Sequence, residues 1–420
     1  MGLLKRACAL ALVTCAAFPY RFERGSGLFA TVSVLDFAFL ASAIVVAVSV
    51  CRRGRLGIGH RGVALALSIP PLLAVCSLLW SIDFQLATKA VTLYVYALGL
   101  YVVMVNLLDE APAQFIAGLF GWFAVVMLTG ALLLYFRVPG FDLFAATDAP
   151  IDLDRIAAAY ARFSHPFIGL SNDFAPILAF TLFAIVGLSR SQPRRWVKPV
   201  AAVLAVGVFL TFSRGTMVGL AIVGLAYWTA SRFSLRLVAK TAVVGMIVGV
   251  AVYAFASHYA FSVGDRQLTG RDIVIDRLSN PGTVELRAEG YRTSLAVVWQ
   301  RPLLGYGTGV FDPGRAGQLS GTAHSTYLQQ LVFYGVPLGL LSSAAWIALA
   351  YVFWNWRSRT TDARRFANAV AAALTVILVG AAIETFMEAT VPRLLIYLLL
   401  GMSTALLNAY DTPSRTRVTA

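Results

Sequence analysis

Apolar stretches long enough to cross a bilayer recur along the whole chain, separated by short charged, polar or glycine-bearing breaks. They fall near 3–20, 28–51, 62–80, 86–108, 112–136 and 172–189 in the first half. The second half adds 196–212, 215–230, 235–257, 327–354, 367–387 and 391–409. A helix needs about 20 residues to cross roughly 30 Å of hydrocarbon, so the pattern predicts about twelve transmembrane helices. The runs are continuously apolar, whereas strands of a membrane barrel alternate at period two. The expected fold class is therefore all-α and polytopic, with 62–80/86–108 and 196–212/215–230 as close hairpins.

Two breaks are long and are expected to lie on the outer side: 137–171 and 258–326. The second is the largest segment outside the predicted spans and contains a helix-like stretch near 284–300. Long loops in a compact protein are usually functional or disordered. Interleaved aromatic and charged residues argue for order here. The whole chain, 1–420, reads as one integral membrane domain. The first span follows Lys5 and Arg6 and has no clean cleavage site before Arg21, so a retained helix is expected rather than a removed signal peptide.

Composition agrees with this pattern. Hydrophobic residues make up 59% and charged residues 13%, with a mean hydropathy of +0.76. A soluble domain is about one quarter charged. The net charge of +14 could suggest nucleic acid, but its distribution does not. With the N-terminus inside, the inner segments carry 19 of the 34 basic residues and only four of the 20 acidic ones: Asp109, Glu110, Asp362 and Asp411. The excess is thus a positive-inside signal, and both termini are expected in the cytoplasm. Cys8, Cys15, Cys51 and Cys76 have the spacing of neither a zinc site nor a disulfide framework.

Basic residues are disfavoured on the outer side, yet the second long loop holds Arg266, Arg271, Arg277, Arg287, Arg292, Arg301 and Arg315. Local pairing with the loop's carboxylates is one reading. An anion site is the other, because guanidinium grips phosphate bidentately and keeps its charge beside lipid. Arg214, in Ser213-Arg214-Gly215 at a tight outer turn, either snorkels or points into a cavity. His324 falls at the outer boundary of the span that begins near Tyr327. It is either a helix cap or a neutral imidazole able to take a proton from a hydroxyl. His165 is a secondary candidate. Asp36, Lys89, Asp173, Glu384 and Glu388 lie within or at the ends of spans, Asp36 and Glu384 the deepest, and such residues are functional candidates. No GxSxG, HExxH, Walker loop or dinucleotide fingerprint is present.

Three segments together resemble the O-antigen ligase/polymerase superfamily of bacterial envelope glycosyltransferases. One is Ser213-Arg214-Gly215 between two helices. Another runs from Leu286 to Phe311, with Arg287, an aromatic four residues later (Tyr291), and Pro302-Leu303-Leu304-Gly305 followed by Gly307 and Gly309. The last is His324-Ser325-Thr326-Tyr327-Leu328-Gln329, followed by Gly335 and Gly339. Ser325 stands where the family usually has Asn. These segments cover about 205–340. Arg162 to Asn172 faintly resembles another family stretch.

The resemblance implies a glycan donor carried on undecaprenyl pyrophosphate and an acceptor sugar hydroxyl, on lipid A-core for a ligase of lipopolysaccharide biosynthesis. For an O-antigen or exopolysaccharide polymerase the acceptor is a further lipid-linked repeat. It implies a bacterial inner-membrane protein with a periplasmic active site, surrounded by membrane lipids, without metal, cofactor or nucleic acid. His324, Arg287 and Arg214 are the implied catalytic residues. Arg292, Arg162, Tyr327 and Tyr291 are the implied substrate-binding residues. A transporter or flippase for an anionic lipid or sugar is the alternative of a different class. It would depend on the acids within the spans more than on His324.

Overall fold

The structure is a computed structural model that describes residues 1–19, 21–23, 31–135, 163–166, 168, 171–188, 195–211, 213–231, 260–263, 266–269, 282–309, 325–358, 360–385 and 389–411. Twelve helices are found among them. The first half holds α1 (Gly2–Ala17), α2 (Val34–Arg53), α3 (Arg61–Ser77), α4 (Phe84–Leu107), α5 (Ala113–Tyr135) and α6 (Ser171–Leu188). The second holds α7 (Val197–Leu210), α8 (Arg214–Ser231), α9 (Gly282–Gln300), α10 (Thr326–Trp354), α11 (Thr361–Ala381) and α12 (Thr390–Asp411).

Six helices (α2, α4, α5, α10, α11 and α12) are long and apolar enough to cross a membrane, and α3, α6, α7 and α8 are shorter apolar helices. The protein is a multi-pass membrane protein by this character. The expected span 235–257 lies outside the described residues.

The sequence pattern is corrected in three places. Two small antiparallel hairpins interrupt the all-helical reading: β1 (Arg21–Glu23) with β2 (Thr31–Ser33), and β3 (Ala260–Val263) with β4 (Arg266–Thr269). The apolar run 28–51 therefore includes a strand, Thr31–Ser33. Its helix starts only at Val34, where a capping box between Ser33 and Asp36 satisfies the first turn: Ser33 N and Oγ lie 2.7 and 2.8 Å from Asp36 Oδ2. Asp36 is accordingly a first-turn cap and not a deep acid. The run 367–387 is displaced. Its helix, α11, begins at Thr361, capped by Thr360 Oγ1 accepting from Ala363 N, and ends at Ala381. The polar start Thr361-Asp362-Ala363-Arg364-Arg365 hides the first turns from a hydropathy reading. Glu384 consequently lies just past the end of α11 and not inside a span.

Helix α12 is the centre of the bundle. Every residue from Val391 to Leu407 is buried, including Arg393, whose guanidinium lies 3.8 Å over the Tyr94 ring. A helix apolar all round can be surrounded on every face by other helices. By contrast α2 buries only Leu35, Ser42, Val46 and Ser49 and is peripheral. Close helix approach is set by small residues. A side chain at Gly401 would reach Tyr101 O of α4 at 3.1 Å, and one at Gly219 of α8 would reach Val376 O of α11 at 2.8 Å.

The helix ends fall into two groups. At one end Lys5, Arg53, Asp109 and Glu110 pair; Asn106 bridges to Gly57 in both directions (2.8 and 2.7 Å); and Ser358 donates to Asp411. At the other end the turn after α3 and the middle of α10 meet the segment that follows α9, while α9 itself and the start of α10 meet the turn after α11. Among the described residues the first end carries Arg52, Arg53, Arg55, Arg357, Arg364 and Arg365, the charge pattern expected of a cytoplasmic side.

Helix α10 is broken at Gly335 (φ 73°, ψ 177°). The break frees the carbonyls of Val332 and Phe333, which accept from Tyr306 N (3.0 Å) and Gly307 N (2.9 Å), while Val336 N donates to Pro302 O (2.6 Å). Pro337 has no N–H to lose, which suits the break. The Pro302–Gly309 segment thus substitutes for the missing helical bonds. Its glycines are required by space: a Cβ at Gly305 would lie 2.4 Å from Val332 O, and one at Gly307 2.5 Å from Ser81 Cβ. Both have positive φ, +65° and +95°. Thr308 locks the far end, meeting Ser77 Oγ at 2.9 Å and donating to Tyr334 OH at 2.9 Å.

Candidate active site

The turn after α11 is where the chemistry-bearing segments meet, and Glu384 is its centre. Its backbone is set by Glu384 N donating to Gly380 O (2.9 Å), one further helical bond beyond α11. Its carbonyl accepts twice from Thr326, from N at 3.2 Å and from Oγ1 at 3.0 Å. Ser325 caps α10, its Oγ accepting from Leu328 N. The start of α10 is therefore pinned to this turn by backbone and side chain together.

The Glu384 carboxylate is 8% exposed as a residue and pairs with Arg287 of α9. Its Oε1 also accepts from Asn172 Nδ2 of α6 at 3.1 Å. The pair is largely desolvated, with side-chain exposures of 19% and 11%, so it is less screened than a surface salt bridge. Tyr291, one turn after Arg287 on the same face of α9, donates to Ala382 O at 3.1 Å. Burial pushes the Tyr291 phenol up, Arg287 opposes that and Glu384 adds to it. Asp173 lies within electrostatic reach of Glu384.

Helix α8 brings its N-terminus to the same turn. A side chain at Gly215 would meet Gly380 Cα at 3.3 Å and Glu384 Cγ at 3.6 Å. Ser213 is buried and its hydroxyl meets Thr216 Oγ1 at 3.3 Å, closing the first turn of α8. Arg214 stands half-buried at the N-terminal end, where the unpaired amides of a helix favour an anion.

Of the expected site residues, Arg214, Arg287 and Tyr291 are thus gathered around one turn. Arg292 is exposed on α9, about 140° around the helix from Arg287. Tyr327 donates to Leu378 O at 2.8 Å and ties α10 to α11. His324, Arg162 and Glu388 lie outside the described residues. Lys89 is exposed on α4. His165 is fully buried against Phe174 (5.4 Å between ring centroids) and Gly130, where a Cβ would lie 2.4 Å from Nε2. Burial drives its pKa down to about 3, and its Nδ1 accepts from Ile168 N at 3.3 Å. It is a neutral packing residue of the 163–168 connection.

Glu384 and Asn172 are the residues a linear reading underrates. Glu384 was visible only as an ionisable group expected deep within the span 367–387. Asn172 carried no signal beyond the faint resemblance of the stretch that ends on it. The cationic side chains, the tyrosine, the carboxylate and a helix N-terminus together can hold a multiply charged anion beside a hydroxyl-bearing acceptor.

Residues 199–343 match the family model described as O-antigen ligase. The matched stretch includes Arg214, Arg287, Tyr291, the Pro302–Gly309 segment and the start of α10. No curated protein matches the chain.

Proposed function

From the premise that this chain belongs to the O-antigen ligase/polymerase superfamily, we propose that it is a metal-independent, O-antigen ligase-type glycosyltransferase. Its donor is a glycan on undecaprenyl pyrophosphate, and its acceptor is a sugar hydroxyl of lipid A-core. The reaction takes place at the periplasmic face of the bacterial inner membrane, with twelve spans and both termini in the cytoplasm. The observation that carries this reading is the meeting of three separate segments, at Gly215, Arg287 and Thr326, on the Glu384 turn.

The acceptor oxygen attacks the anomeric carbon, and the bond from that carbon to the diphosphate oxygen breaks. Negative charge grows on the departing lipid pyrophosphate. Arg287 and Arg214 stabilise it, aided by the N-terminus of α8, with Arg292 and Arg162 at the approach. The acceptor proton passes to His324. His324 precedes the pinned Thr326 by two residues, a reach of at most about 7 Å. Glu384 acts through Arg287 as a positioning residue, keeping the guanidinium oriented before donor arrives. Diphosphate is a good leaving group, so the reaction needs no Lewis acid. Asp36 serves as a helix cap, which weakens the transporter alternative at one of its principal acids.

The test is reconstitution of purified protein with undecaprenyl-pyrophosphate glycan and EDTA. One reaction is offered lipid A-core and another only further lipid-linked repeat, with His324→Ala alongside. Glycan on lipid A-core, lost in the variant, supports the ligase. Lengthening of the lipid-linked chain assigns the polymerase instead. Folded protein that forms neither product overturns the transferase reading.

A further inference from the structure

A cleft of about 650 Å³ opens at the opposite end of the molecule from Glu384, between the end of α10, the connection that follows it and the first turns of α11. Its wall includes Trp354, Asn355, Arg357, Arg364 and Asn368, with no carboxylate among its lining residues. The floor is rigid. Trp356 stacks on Phe353 at 5.7 Å with 16° between the rings, and lies 4.5 Å from His60. Arg364 Nη2 donates to Ser358 O at 3.3 Å, which holds its guanidinium at the wall. Asp411, which lines the adjoining pocket, accepts from Ser358 Oγ and from Trp356 Nε1 at 3.4 Å, and among the described residues no ion pair joins Arg357 or Arg364 to a carboxylate.

The rim is amphipathic. Tyr351 and Trp354 are 67% and 53% exposed on the last turn of α10. Exposed tyrosine and tryptophan at a span end mark headgroup depth. Two arginines without a carboxylate, beside aromatic rings at that depth, complement a phosphate attached to acyl chains. The volume suits a glycerophosphate headgroup and exceeds what a single small ion needs. Basic pockets between transmembrane helices on the cytoplasmic side bind such headgroups.

We propose that this cleft binds the headgroup of an anionic phospholipid of the inner leaflet, with Arg357 and Arg364 on the phosphate and Tyr351 and Trp354 along the first acyl carbons. The site goes beyond the transferase reading. It rests only on the sidedness given above, and its test needs no glycan substrate.

The experiment is native mass spectrometry of the full chain in detergent, titrated with phosphatidylglycerol, phosphatidylcholine or inorganic phosphate. Wild type is expected to retain phosphatidylglycerol at least about tenfold more tightly than phosphatidylcholine, with millimolar phosphate failing to displace it. Arg357→Gln/Arg364→Gln is expected to lose that preference, and Arg357→Lys/Arg364→Lys to keep most of it. The lysine variant also serves as the folded control. Equal retention of both lipids by wild type, undiminished preference in the glutamine variant, or displacement by free phosphate would each overturn the proposal.

Discussion

The two ends of the bundle both carry ion pairs, but they are built to different purposes. At the basic end, Lys5 and Arg53 face Asp109 and Glu110, two cations against two anions, all on neighbouring helix ends. Lys5 is almost completely buried and is also satisfied by Asn106 O at 3.0 Å. That cluster is closed and neutral. At the other end the Glu384 carboxylate gathers Arg287 and Asn172 while the N-terminus of α8 with Arg214 stands beside it. Asp173 of α6 is also within electrostatic reach of Glu384, so two acids and two arginines from four different elements meet here without closing into matched pairs on neighbouring helix ends. A closed cluster holds helices together. In the proposed reading the second cluster keeps its cationic groups in place for an anion that comes from elsewhere.

The largest expected contrast is in activity. Arg287→Ala should lower glycan transfer by about 100-fold or more, whereas Arg53→Ala should leave transfer per folded molecule within about twofold. Comparable losses from both would erase the distinction between the ends. Stability should respond most to the clasp that supports the open end. Gly307→Ala places a Cβ against Ser81 at a positive φ and should cost about 3 kcal/mol, read as a lowered Tm together with weakened activity. Glu384→Gln keeps the shape but removes the charge that orients Arg287. It should cost about 2 kcal/mol and reduce transfer about tenfold, with Glu384→Asp recovering part of the rate. A rate unchanged by Glu384→Gln would show that Arg287 is oriented without it.

Asp109→Asn should cost about 1 to 2 kcal/mol, because Lys5 is left buried without its anion. Specific activity should stay unchanged, which measurements of Tm and rate on the same sample would check.

The smallest effect is the pH dependence of stability. Burial depresses His165 to about 3 and also lowers His60. A histidine kept neutral in the folded state binds its proton more readily when unfolded. Its contribution is therefore present above about pH 6.5 and is lost as pH falls below that value. At pH 5.5 His165 should account for about 1 kcal/mol. His165→Gln should flatten that part of the curve, and His60→Gln should remove less. The reverse order would make His60 the more strongly buried group.

Much of this arrangement is legible in the linear chain. The apolar runs near 86–108, 112–136, 327–354 and 391–409 agree with α4, α5, α10 and α12 to within a few residues. Arg214 and Arg287 stood out as basic residues on the expected outer side, the family resemblance singled out Arg287 and Tyr291, and the structure places all three near one turn. Other features were hidden for definite reasons. The polar first turns of α11 displaced its predicted span. The helical break at Gly335 is invisible to hydropathy, because residues on either side remain apolar. The role of Asp36 depends on a capping bond three residues back, and average hydrophobicity does not register such a bond.

Sequence alone determined the helical class and order of the longer apolar elements, the uneven distribution of positive charge and the residue types available for anion chemistry. These follow from hydropathy, charge and short spacing, all of which are local. Tertiary structure decided that Glu384 is the common partner. It joins Asn172, Arg287 and Thr326 across separations of 212, 97 and 58 residues. It also decided that the Pro302–Gly309 segment repairs a broken helix. A hydrogen bond or ion pair depends on distance and direction in space, and only the packing of the helices sets those for groups so far apart in the chain.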